Sequence, residues 1–379
     1  MSDLRILAPR AALTRRRFLG VSAGALAGFS LLGACGTDDG DEEASSGAGS
    51  GSGGGTRRLN LYTWAEYSDP ANLEEFGDVT VDVFDSNEQA IAKLELAKGS
   101  SGYDIVVPTG VFVPQMVSKG LLQELDRSKI PNFENLEDAY LDQSWDPGNR
   151  YTVLKNIGTT GYVYDTSVIP DELEGWAGFF EAAKRPEVSG KVSALGAPGD
   201  VTGMWFWREG IDWNTTDPAH LDAAEQALLE ELVPHLKAFD SYPSTGMLEG
   251  SYVLSQAWNG DARIAVVEDP ERYRWVLGGP KTEIWADTWA IAAGAENVDA
   301  AHAFIDFMLT PEVSAKELEY HGYPTGVKGV EELLPDDLPG RELIFLTEEE
   351  QSRLVEGEVN EAQDRIVEIY NRLEAAAGA

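Results

Sequence analysis

From Leu59 onward the chain alternates between two hydrophobic rhythms. Residues 59–63 read as a first strand. Val79, Val81 and Val83, separated by polar residues, have the two-residue period of a half-buried strand. Residues 103–107 form a short apolar run stopped by Pro108, the pattern of a strand covered on both faces. Between these, residues 72–76 predict a short helix. Residues 88–98 predict a longer one, with Ile91, Leu94 and Ala97 on one side and Gly99 at its end. Strands and helices alternating at this spacing predict an α/β fold on a parallel sheet.

The second half continues in the same style. Residues 191–195, 264–267 and 284–293 read as strands, and a helix begins within 202–209. Over residues 217–239, Leu221, Ala224, Leu228, Leu232, Leu236 and Phe239 recur at helical spacing, with Pro234 set to bend or break the helix. Residues 298–319 predict one further helix. Val359, Ala362, Ile366, Ile369, Tyr370 and Leu373 mark a last helical face. No short-period internal repeat is present.

The first 58 residues have a different character. Thr14-Arg15-Arg16-Arg17-Phe18-Leu19 is a twin-arginine pattern, followed by a weakly apolar run over residues 20–34. That run ends at Leu32-Gly33-Ala34-Cys35, which reads as a lipoprotein cleavage box. The run is short of the ~20 apolar residues that a membrane span needs. Residues 1–34 are therefore expected to be an export signal, and Cys35 the lipid-bearing first residue of the mature chain. Residues 35–58 then form an acidic and Gly/Ser-rich linker with nothing to bury. The expected location is outside the cytoplasmic membrane, held there by lipid.

Composition narrows the choice of partner. Cys35 is the single cysteine, so the domain must be stable without disulfides. The 321 residues from Leu59 to Ala379 suggest about two domains. Asp and Glu number 65 against 29 Lys and Arg, a net charge of −36 that becomes −40 once the signal, with five Arg and one Asp, is removed. A surface this acidic excludes nucleic acid, which demands a basic face, and attracts cations. Most of these charges are a solvated surface, so a cationic ligand needs specific residues. Enzyme motifs are lacking. His220, His235, His302 and His321 have no zinc spacing, and there is neither a Gly-x-Ser-x-Gly elbow nor a phosphate-binding loop.

Tryptophan and acid stand together at the ends of predicted strands. Trp64, Glu66 and Tyr67 follow the first strand, and Thr109 follows the third. Trp258 and Asp261 precede the run at 264, Trp285 and Asp287 lie within a strand, and Tyr323 follows a helix. Each tryptophan alone is more simply a core residue. Ligands of open α/β sheets bind at the carboxyl ends of strands, and carboxylates among indole faces make a box for an organic cation.

Residues 61–67, 86–88, 103–112, 258–260, 285–287 and 322–325 resemble the bacterial spermidine/putrescine-binding proteins, the extracytoplasmic receptors of polyamine ABC importers. The resemblance spans nearly everything from Leu59 to about Glu374, and the order and spacing of its motifs are specific. It implies a two-lobe α/β periplasmic-binding-protein fold of type II, with two chain crossovers. Lobe 1 would take residues 59–162 and 287–332, lobe 2 residues 163–286 and 333–379. It further implies a monomer without cofactor or metal that closes on a polyamine and hands it to permease subunits. Carried over position by position, the contacts would be Trp64, Glu66, Tyr67, Thr109, Asp200, Trp258, Asp261, Trp285, Asp287 and Tyr323. Asp261 matches the putrescine-type members. Ala197 replaces a second acid and Val111 a common aromatic ring, while Glu356 lies near an expected polar contact. Loss of one acid and one ring suggests a shorter diamine or another small cation. A receptor for a different solute and a secreted lipoprotein enzyme are the competing readings.

Overall fold

The computed structural model describes residues 5–6 and 58–378. The twin-arginine run, Cys35 and the Gly/Ser linker lie outside the described residues. The first half contains β1 (Arg5–Ile6), β2 (Arg58–Thr63), α1 (Pro70–Phe76), β3 (Asp78–Val83), α2 (Asn87–Ala97), β4 (Ile105–Val106), α3 (Val113–Ser118) and β5 (Thr152–Asp165). Next come α4 (Gly175–Ala183), β6 (Val192–Ala194), α5 (Pro198–Glu209), α6 (Pro218–Glu231), β7 (Leu236–Phe239), α7 (Ser244–Leu248), β8 (Leu254–Trp258), α8 (Asn259–Glu268), β9 (Tyr273–Leu277) and β10 (Thr282–Ile291). The chain ends with α9 (Val298–Met308), α10 (Pro311–His321), α11 (Val330–Leu333), α12 (Arg341–Ile344), α13 (Glu348–Gln351), β11 (Leu354–Glu356) and α14 (Gln363–Ala377).

The strands run in the order β1-β3-β2-β4-β10-β5-β8-β6-β7, with β11 beside β10 and β9 beside β5. Two strands serve both halves. β5 pairs antiparallel with β10 from Thr152 to Thr159, then with β8 and β9 from Thr160 to Asp165. β10 begins beside β11 and ends beside β4. Two large hydrophobic cores flank this crossing: one around β2, β3, β4, α9 and α10, the other around α4, α5, α6 and α14. A smaller one lies between α7, α8 and β9. The architecture is the α/β two-lobe fold expected, with β5 and β10 passing between the lobes.

Local chemistry explains most boundaries. Asp69 caps α1 ahead of Pro70, and Ser86 caps α2 by accepting from the Gln89 N–H. α14 buries Ile366, Ile369, Tyr370 and Leu373 on one stripe, as their spacing predicts.

Four expectations need correction. Residues 264–267 lie in helix α8, not in a strand. The helix buries Ala262, Ala265 and Val266 and turns Ile264 outward, so tertiary packing overrides the β-propensity of the run. Residues 298–319 form two helices, because Pro311 opens α10 at its first turn. Residues 217–239 leave the helix after Glu231, and Leu236 starts a strand beyond Pro234. The sheet is mixed rather than parallel: β2 pairs parallel with β3 and β4, but β10 runs antiparallel to β4 and β5.

Candidate functional site

A cavity of about 250 Å³ opens between the two large cores, and all ten expected contact residues line it. The loop after β2 supplies Trp64, Glu66 and Tyr67. Glu66 holds the left-handed backbone (φ 51), which is costly for a residue with a Cβ, and its side chain stays exposed. Thr109 follows β4, Asp200 sits in the first turn of α5, and Trp258 ends β8. Asp261 lies in the first turn of α8, Trp285 and Asp287 stand on β10, and Tyr323 follows α10.

Three of the carboxylates, Asp200, Asp261 and Asp287, are buried and preassembled. Asp287 accepts from the Tyr67 hydroxyl (2.6 Å) and the Thr109 hydroxyl (2.7 Å), and Asn87 donates in turn to Thr109 (2.9 Å). Burial pushes the Asp287 carboxyl up to about 6, against the pull of these hydrogen bonds and of the Lys155 charge. Asp261 accepts from the Ser244 N–H (2.9 Å) and hydroxyl (2.7 Å), and burial pushes it up to about 7. Asp200 accepts from the Thr160 hydroxyl (2.8 Å) and the Trp258 indole N–H (3.0 Å). Its pKa is raised, chiefly by burial.

The rings meet edge to face. Trp64 and Trp258 stand 5.7 Å apart, Trp258 and Trp285 6.5 Å, and Trp285 and Tyr323 5.0 Å, all near perpendicular. Trp285 lies flat over β5 because Gly158 leaves room: a Cβ there would sit 2.1 Å from the ring. Behind the wall, Lys155 places its ammonium 4.1 Å from the Tyr67 ring centroid and 3.7 Å from Glu317.

Sequence reasoning missed several lining residues. Glu88 and Glu283 are acids, and Trp213, Tyr242 and Tyr320 are rings. The Tyr242 hydroxyl accepts from the Ala65 N–H (2.9 Å), and Gln363 on α14 donates to Glu88 on α2 (2.8 Å). Both bonds tie the two walls together. Ser-Asn-Glu at 86–88 gave a signal for Glu88; Glu283 gave none, one acid among 65. Ala197 and Val111 also line the cavity. Glu356 faces a separate small cavity beside Tyr140 and Trp145, and Glu358 and Asn360 reach the cleft instead.

Seven carboxylates line the cleft: Glu66, Glu88, Asp200, Asp261, Glu283, Asp287 and Glu358. No Lys or Arg lines it among the described residues. No cluster of His, Cys, Asp and Glu fit to hold a metal ion, and no helix long and apolar enough to cross a membrane, occurs among the described residues. Nine aromatic rings, with acids between them, leave a cleft suited to hold an organic cation and dehydrate it.

Comparison with known proteins agrees with this architecture. Residues 69–339 match the family model of the bacterial extracellular solute-binding proteins. The chain is 34% identical over 286 residues to spermidine/putrescine-binding periplasmic protein 1 of Haemophilus influenzae, covering 73% of this chain and 78% of that one. It is 32% identical over 326 residues to the spermidine/putrescine-binding periplasmic protein of Escherichia coli, covering 84% and 91%. The structure of the spermidine/putrescine ABC transporter substrate-binding protein PotD from Streptococcus pneumoniae superposes with a TM-score of 0.68 at 27% identity, over 85% of this chain and all of that one. The chain belongs to the bacterial extracellular solute-binding proteins and, within them, to the family of the spermidine/putrescine-binding proteins.

Proposed function

We propose that the protein is a lipid-anchored extracytoplasmic receptor that captures a polyamine, putrescine or spermidine, and delivers it to an ABC importer. The observation that carries this reading is the cleft itself, which among the described residues has seven carboxylates, nine aromatic rings and no lysine or arginine on its lining. The names of the relatives point to the same ligand class. Lobe 1 would take residues 59–162 and 287–332, and lobe 2 residues 163–286 and 333–379. β5 and β10 would carry the hinge. Cys35 would hold the mature chain to the membrane through lipid, and the receptor would act as a monomer.

The work done is capture. An open form samples closure, and a cation that touches both walls raises the closed population. The bonds Ala65–Tyr242 and Glu88–Gln363 join the two walls, so opening the cleft would break them. Micromolar affinity needs about −8 kcal/mol. Two cation–π contacts at up to ~2 kcal/mol each fall short of that. Charge-assisted hydrogen bonds to Asp200, Asp261 and Asp287, at ~1.5–3 kcal/mol each, supply the remainder. Mass spectrometry of small molecules released from protein purified without denaturation tests the ligand class. A diamine or triamine is expected; a sugar or an anion in stoichiometric amount would overturn the reading. Membrane fractionation of a Cys35→Ser variant tests the anchor, and full retention in the membrane fraction would sink it.

A further inference from the structure

Glu283 is a buried acid in the cleft that the resemblance does not assign. It stands on β10 at the crossing, two residues before Trp285. Its partner in space is Asp200, on α5. The Thr160 hydroxyl, on β5, lies 2.8 Å from Asp200 Oδ1 and 2.8 Å from Glu283 Oε2. One hydroxyl carries one hydrogen, so it donates to only one of these oxygens. The other oxygen must bring a proton of its own and donate it to the Thr160 oxygen, or be left buried against a lone pair. The Trp258 indole N–H already donates to Asp200 Oδ1, which marks Asp200 as the charged member and Glu283 as the protonated one.

The surroundings agree. Among the described residues, no Lys or Arg lines the cleft in which the pair stands. Asp287 stands on the same strand β10 and raises the Glu283 carboxyl, and Glu88 on α2, held by Gln363 of α14, repels Asp200. Gln256 on β8 donates to the Asp200 carbonyl, and Glu356 on β11 is exposed. Lys155 on β5 acts on Asp287 from behind Tyr67. Burial and the neighbouring Asp200 hold the Glu283 carboxyl well above the usual range. Ala197, just ahead of α5, lines the same cleft and brings no charge of its own to the pair.

We propose that Asp200 and Glu283 share one proton across Thr160 in the empty receptor, and that an incoming ammonium group displaces it, coupling cargo capture to the release of one proton. This rests on the cation-receptor reading. The Glu283 O–H bond breaks, its proton passes to solvent, and the ligand's N–H groups donate to the dianionic pair in its place. The ligand stays fully protonated, so one positive charge is exchanged for another within a low-dielectric site. Glu283 thereby becomes a determinant of affinity that switches on as pH rises.

The test is calorimetric titration of putrescine into the folded receptor at neutral pH, in buffers of different ionisation enthalpy. Wild type is expected to release close to one proton more per ligand than Glu283→Gln. The ratio of the variant's Kd to that of wild type should grow by up to tenfold per pH unit, because one linked proton gives that slope. Equal proton counts and a constant ratio would overturn the proposal. Infrared difference spectroscopy supplies a readout without any variant: at about pH 8.5, where Asp261 and Asp287 are ionised, the empty wild-type protein should show a protonated carboxyl band that putrescine removes. Absence of that band in the empty protein would refute the shared proton even if Glu283→Gln failed to fold. Putrescine failing to bind while the band is present would instead count against the receptor reading.

Discussion

Replacing Asp287 by Asn removes a charge from the wall of the cleft while keeping its shape. The side chain is almost fully buried, and its two oxygens are held by Tyr67 and Thr109. An amide oxygen can still accept one of those bonds, and its NH2 can donate to the other hydroxyl oxygen, so the loop after β4 should remain in place. What is lost is the charge-assisted bond to an ammonium group, ~1.5–3 kcal/mol, or about 10- to 150-fold in Kd. Trp258→Leu removes a cation–π contact of ~0.5–2 kcal/mol, about 2- to 30-fold, together with an indole N–H bond to Asp200, which keeps its Thr160 partner and its charge. The pKa adds an independent signature. With a value of about 6, the carboxylate is almost fully ionised at pH 7.5, but at pH 5 it must first lose a proton. That costs ~1.4 kcal/mol per pH unit. The gap between wild type and Asp287→Asn should therefore shrink about tenfold between pH 7.5 and pH 5, because the mutant has no such proton to lose. Calorimetry with putrescine at both pH values measures this. Equal losses for the two substitutions at pH 7.5, or an Asp287→Asn gap that ignores pH, would refute the reasoning.

Three other outcomes are expected. Gly158→Ala puts a methyl within 2.1 Å of the Trp285 ring, so it should cost ~1–3 kcal/mol of stability and weaken putrescine binding at least severalfold. Quenching of tryptophan fluorescence by ligand and chemical denaturation measure the two effects, and an unchanged Kd would contradict the placement of that ring. Lys155→Met leaves Glu317 buried without its counter-charge and should cost ~3–5 kcal/mol, most of it recovered in Lys155→Met/Glu317→Gln; denaturant midpoints that show no recovery would count against the pair. Finally, Asp261 and Asp287 are raised to about 7 and about 6 by burial, while an unfolded chain holds them near 4. The folded form then binds more protons between about pH 4 and 7, and stability falls as pH rises through that window. Thermal scans of the ligand-free protein should give a higher Tm at pH 5 than at pH 8, with the difference narrowed by saturating putrescine; the reverse order would contradict the assignment.

The part of the fold carried by local pattern was legible. β3, α2 and α14 follow hydrophobic periods that survive in the structure because each has one buried and one more exposed face, and β2 is a short apolar run buried on both faces. β5, the longest strand, was not legible. Thirteen of its fourteen residues are buried, so no alternation marks it, and Lys155, Asn156, Gly158 and Gly161 interrupt the run. Its two halves pair in different lobes, a fact of tertiary topology alone. The ten expected contacts all line one cavity, though they come from loops and elements spread from Trp64 to Tyr323. What located them was resemblance together with the coincidence of ring and acid at strand ends. Glu283 and Tyr242 carry neither signal: one is an acid inside a strand, the other a tyrosine in a turn, and only the folded chain brings them to the cleft.

The central claim is that this cleft selects positive charge. Titration of the purified receptor with putrescine and with 1,4-butanediol, which has the same chain but hydroxyls for ammonium groups, tests it most directly. Putrescine should bind in the micromolar range or tighter, and the diol should give no measurable heat at millimolar concentration. Comparable binding of both compounds, or of the diol alone, would contradict the account.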